Sequence, residues 1–191
     1  MRDLIDIVKY AVLNEGRVSK LYHGTSIYAA ASIIEENIIR AGDHDDGPHG
    51  VSLTTKEGVA KGFAKDVDHR EIDNAAVDGI HYADYAGSPW SSKGCVLVFN
   101  QSSVKTAITL VRHCWDGCDS EHELRAKGDG FRIADHLLAI LVNDADLDWW
   151  ITAYRGEAVD WKNAGDDREA GFALGRASMV SNLKAHPLRR R

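Results

Sequence analysis

Apolar and polar positions along the chain switch between helical and strand spacing in a definite order. Leu4, Ile5, Val8, Ala11 and Val12 share one helical face, which predicts an amphipathic helix over residues 3–14, ended by Asn14-Glu15-Gly16. A strand follows over Ser19 to His23. From Ser26, a suitable N-cap, Ala29, Ala30, Ile33 and Ile34 return to helical spacing up to about Asn37. Residues 41–50, dense in Gly and Asp, read as a loop. Strand Gly50-Val51-Ser52-Leu53-Thr54-Thr55 leads into a helix over 55–65, signalled by the Thr54/Glu57 capping-box spacing, with Val59, Ala60 and Phe63 on its inner face. Residues 66–94 form a long polar connection, in which Tyr82, Tyr85 and Trp90 are the aromatic residues of note. Residues 95–100 are a continuous apolar run and read as a buried strand; the β-branched stretch 104–112 reads as another. Strands follow at 121–128 and 137–143. Two helices close the pattern, the first with Leu147, Trp150, Ile151 and Tyr154 as its stripe, the second carrying unfavourable Gly171 and Gly175.

Strands cluster in the second half without the steady alternation of a doubly wound sheet, which makes the fold class α+β. Residues 1–143 read as one domain with an N-terminal helix, and residues 144–191 as a helical C-terminal extension packed on it. The terminal Arg189-Arg190-Arg191 reads as a solvated tail.

Composition narrows the function classes. A net charge of −6 argues against a dedicated duplex-binding protein, because phosphate contacts need clustered Lys and Arg. Charges interrupt the apolar N-terminal pattern, so neither a signal peptide nor a membrane span is expected. Three cysteines without framework spacing fit a reducing compartment, hence a cytoplasmic location. No metal is expected. The Asp43, His44, Asp45, Asp46 and His49 cluster lacks a ligand spacing, and Cys114 and Cys118 beside His113 lack a fourth partner.

Two stretches carry candidate chemistry. His23-Gly24 at a strand end presents an imidazole beside a backbone that a ligand can approach closely. Glu121 and Glu123, two apart on a strand, point to the same face. Carboxylates so placed suit a site that binds a cation. A carboxylate that accepts a hydrogen bond from a ribose 2-hydroxyl stabilises an oxocarbenium-like transition state. The structural alternative for the pair is an edge strand whose charges face water.

Taken together, His23-Gly24-Thr25-Ser26 after a strand, the strand 50–55 with its following helix, and Glu121-x-Glu123 opening a later strand resemble the ADP-ribosyltransferase superfamily over roughly residues 19–143. The resemblance implies a split β-sandwich, two small sheets facing each other across a cleft that takes NAD as co-substrate. It implies that His23 binds the adenosine ribose, with Thr25 in the same motif, and that the Gly24 backbone meets the nicotinamide amide. Ser52 and Thr54 would brace the cleft, and Phe63 would stack on nicotinamide. Glu123 would be the catalytic glutamate, Glu121 would orient the acceptor, and Trp115 would sit in the substrate-recognition loop. His-Gly combined with a Ser-x-Thr middle motif is a mixed type within that family, which bears on the acceptor.

The implied function is transfer of ADP-ribose from NAD to a macromolecule, with a protein side chain such as arginine preferred over nucleic acid, as in a toxin or effector. No membrane partner is expected, and an inhibitor or antitoxin partner is left unspecified. Two alternatives stay open: an acceptor on a nucleobase or an RNA 2-phosphate, and a catalytically silent NAD- or partner-binding module.

Overall fold

The computed structural model describes residues 18–41, 49–64, 94–112 and 123–190. The N-terminal helix expected over 3–14, most of the loop at 41–50, and the connection with Tyr82, Tyr85 and Trp90 lie outside these residues. So do Glu121, Trp115, His113, Cys114 and Cys118.

Nine strands are found among the described residues. They are β1 (Lys20–Ser26), β2 (Ile38–Arg40), β3 (Gly50–Thr54), β4 (Gly94–Asn100), β5 (Leu110–Arg112), β6 (Glu123–Lys127), β7 (Gly130–Arg132), β8 (Leu137–Leu141) and β9 (Arg189–Arg190). The helices are α1 (Ile27–Glu36), α2 (57–64), α3 (Gln101–Ala107), α4 (Asp144–Asn163) and α5 (Asp167–Ala185). The class is therefore α+β. Seven strands form one sheet in the order β5-β6-β3-β1-β4-β8-β9, and β2 pairs with β7 in a second, two-stranded sheet. The large sheet is antiparallel except where β9 joins β8. The described strands thus form one seven-stranded and one two-stranded sheet where two small sheets were expected, and the middle seam of the large sheet is thin: β1 and β3 pair at Tyr22 opposite Thr54.

The two sides of the large sheet differ. Leu21, Leu97, Phe99, Val51 and Leu53 face the main core, into which α1, α3, α4 and α5 send Ile27, Val104, Leu147, Trp150 and Val180. Each fully buried aliphatic or aromatic side chain there contributes about 1.5–3 kcal/mol. The expected α4 stripe of Leu147, Trp150, Ile151 and Tyr154 is buried as a unit, and Arg176 of α5 lies 5.6 Å from the Tyr28 ring and 5.9 Å from the Tyr154 ring. The other side carries a smaller cluster of Ala60, Ala64 and Val96 with Tyr22 and Leu141, where α2 packs.

Local chemistry explains the boundaries. Ser26 Oγ accepts from the Ala29 amide at 3.0 Å, capping α1 as expected, and Asn37 ends that helix in the left-handed region at φ 55°. Before α2, Thr54 Oγ1 accepts from the Lys56 amide at 3.1 Å, and the helix starts at 57 rather than 55. Residues 104–112 are not one strand. Asn100 Oδ1 accepts from the amides of Ser102 and Ser103, which nucleates α3, and the strand is confined to Leu110–Arg112. Nor are Arg189 and Arg190 a free tail: they pair with Ile140 and Leu141, and Arg189 forms an ion pair with Asp144.

Candidate functional site

Side-chain alternation sorts the predicted site residues. Opposed residues on paired antiparallel strands share a face. Tyr22 opposes Thr54, and Thr54 opposes Glu123, so these three form a row across β1, β3 and β6 on the α2 side. Ser52 opposes Arg125 in the next row on the same face. Gly24 shares that face, whereas His23 and Thr25 alternate to the core side, opposite Leu97 and Cys95. Gly24, Ser52, Thr54 and Glu123 are thus brought together, and Thr25, which is buried, is separated from them.

His23 reaches the group through the seam. Its Nδ1 lies 2.8 Å from the Ser52 carbonyl oxygen, an acceptor, so Nδ1 carries the proton. The imidazole therefore takes a carbonyl just where the β1–β3 ladder stops. Burial pushes the His23 ring below the ordinary histidine value, and the Ser52 hydrogen bond opposes part of that shift. The neutral ring leaves the Nε2 lone pair as a hydrogen-bond acceptor.

The shift has a consequence for stability. In the window between the lowered folded value and the unfolded value near 6.5, the unfolded chain binds more protons than the folded one. The neutral-ring contribution is present above about pH 6.5 and is lost as pH falls toward the folded value. His23→Asn keeps a donor near the Nδ1 position without titrating. Its unfolding free energy should fall less steeply than wild type over that window, measured by urea denaturation at several pH values. His186, whose ring burial also lowers, titrates in the same range, so the difference between the two proteins is the quantity that matters. Parallel curves would remove His23 from the account.

Glu123 is not a solvent-facing edge residue. β6 lies between β5 and β3, and Glu123 is only 7% exposed. Its Oε1 lies 2.9 Å from Nε of Arg125, which is 5% exposed. A buried carboxylate with one cationic partner among the described residues is a high-stakes arrangement, since removing either member strands the other. Thr54, directly opposite, is buried as well.

Gly24 has a packing reason to be glycine. A Cβ built there would lie 1.9 Å from the Ala60 carbonyl oxygen and 2.9 Å from the Ala64 amide nitrogen. The α2 backbone therefore rests directly on β1. That contact orients α2, whose Phe63 is 43% exposed rather than on the inner face expected for it; Ala60 and Ala64 fill that face instead.

Two residues of this face were not among the candidates. Arg125 was legible as the next same-face position after Glu123 on one strand. Tyr22, inside the first motif, heads the Thr54–Glu123 row; burial and the nearby Glu57 charge raise its phenol above the usual tyrosine value, which keeps the hydroxyl protonated. Among the described residues, no group of three or more His, Cys, Asp or Glu side chains is arranged to hold a metal ion, and no helix is long and apolar enough to cross a membrane.

No protein-family model, curated protein or solved structure matches the chain.

Proposed function

We propose that the chain is an NAD-dependent ADP-ribosyltransferase whose site lies on the α2 side of the large sheet, at the β1–β3 seam, where the adjacent strands β1, β3 and β6 present its residues. The observation that supports this most is Glu123: a carboxylate buried in an interior strand, opposite Thr54, with His23 bonded across the seam to the same β3 strand.

In this reading the bond between ribose C1 and the nicotinamide nitrogen breaks, and its electron pair neutralises the pyridinium. Glu123 accepts a hydrogen bond from the ribose 2-hydroxyl and offsets the positive charge that develops on the ribosyl carbon. Because the carboxylate is already desolvated, little reorganisation accompanies that step. His23, on the core side of the seam, holds β1 to β3 through the Ser52 carbonyl, the Gly24 backbone meets the nicotinamide amide, and exposed Phe63 stacks on the departing ring. An acceptor nitrogen, such as a guanidinium nitrogen held by Glu121, then bonds to ribose C1 and gives up a proton. Trp115 contacts the acceptor. The acidic balance of the chain supports a protein acceptor over nucleic acid.

The test is incubation with adenine-labelled NAD and separate protein, DNA and RNA pools. Nicotinamide release with label in the protein pool is the expected result. Label in DNA or RNA would move the acceptor. Stabilisation by NAD without any nicotinamide release would overturn the transferase in favour of a silent binding module.

A further inference from the structure

Arg125 carries more hydrogen-bonding capacity than the protein uses. A guanidinium has five N–H donors in a planar fork. Here the residue is 5% exposed, and its one ion pair among the described residues is from Nε to Glu123 Oε1 at 2.9 Å. That approach is off the line of a hydrogen bond, for Nε is enclosed without an aligned acceptor. The terminal amino nitrogens are not among the fully enclosed atoms that lack a partner, and no hydrogen bond from them is found among the described residues. Directly opposite on β3 stands Ser52, half-buried, whose hydroxyl faces the same side. Opposed side chains on paired strands have Cβ atoms about 4.5–5.5 Å apart, close enough for both to touch one small group.

We propose that Arg125, with the Ser52 hydroxyl beside it, anchors a phosphate-class oxyanion of the ligand. The terminal amino pair matches two oxygens of a phosphoryl group, while Nε stays against Glu123. A buried cation with unspent donors is costly unless a second anion completes it, and one carboxylate does not satisfy the fork. In naming the group by which a dinucleotide would be held, this rests on the NAD reading above; the anchor itself rests on Arg125 and Ser52.

Calorimetric titration of the full chain with inorganic pyrophosphate, inorganic phosphate, ADP-ribose and adenosine tests it. Pyrophosphate and ADP-ribose should bind with saturation, and adenosine more weakly. Pyrophosphate tighter than phosphate assigns a diphosphate source; equal affinities assign a monophosphate. Arg125→Lys, which keeps the charge but loses the fork, should weaken pyrophosphate by about tenfold. Glu123→Gln, which removes the competing carboxylate and keeps the guanidinium, should tighten it, and this arm holds even if the lysine variant folds poorly. Absence of pyrophosphate and phosphate binding, or one affinity across wild type and both variants, would overturn the anchor. Arg125-dependent pyrophosphate binding without nicotinamide release would end the transferase reading and leave the anchor standing. Release of nicotinamide with no oxyanion binding would do the reverse.

Discussion

Replacing Glu123 with glutamine is expected to lower nicotinamide release by about a thousandfold, corresponding to about 4 kcal/mol of transition-state stabilisation. The amide is nearly isosteric and still places an oxygen toward Arg125, so shape and packing beside Thr54 are kept. What it loses is the full negative charge opposite the developing ribosyl cation. Neutralising one member of the buried Glu123–Arg125 pair costs about 3–5 kcal/mol, which leaves the fold standing where the stability of a domain is about 5–15 kcal/mol. Release of nicotinamide by liquid chromatography, with near-ultraviolet circular dichroism as the folding control, reads both quantities. Turnover equal to wild type in a folded Glu123→Gln protein would place the chemistry elsewhere.

The largest stability effect is expected at Gly24. Alanine there sets a Cβ 1.9 Å from the Ala60 carbonyl oxygen and 2.8 Å from its carbon, both rigid backbone atoms. No rotamer relieves such a contact, so α2 must lift off the sheet and open the packing of Ala60 and Ala64 on Val96. Overpacking of this kind costs typically 1–3 kcal/mol and more when backbone must move. A loss of about 3 kcal/mol lowers Tm by roughly 6–12 °C at this chain length. Gly62→Ala is the control in the same helix: a Cβ there meets nothing within 4 Å, and alanine should raise stability by about 0.5–1 kcal/mol through helix propensity. Equal melting temperatures for Gly24→Ala and wild type would mean that α2 does not rest on β1.

Much of the architecture was legible because strong local signals agreed with long-range ones. Ser26 both ends β1 and caps α1, and the apolar run of β4 is buried across all its central residues. The stretch 104–112 misled because β-branched composition was weighed above the cap that precedes it. Two amide bonds to Asn100 decide the first turn, and propensity yields to them. Strands β2, β7 and β9 have two or three residues each, too few for a period-two pattern, and their pairing depends on partners far along the chain. At the site, alternation told that Glu123 and Arg125 share a face. It could not tell that β6 is an interior strand, since strand order is set by tertiary packing, and burial of the pair follows from that order. Nor could it place His23 on the opposite side from Glu123, with only its ring bond to β3 bridging them.

The single Tyr22–Thr54 bridge divides the large sheet into two mechanical blocks, β5-β6-β3 and β1-β4-β8-β9. Ladders of several residues hold each block internally, whereas the strand pairing between them among the described residues is one bridge, with one imidazole bond beside it. Cooperative opening units tend to separate along such joints. A ligand that touches Gly24 on one block and Glu123 on the other would act as a clasp, and part of its binding free energy would appear as stiffening of the whole sheet.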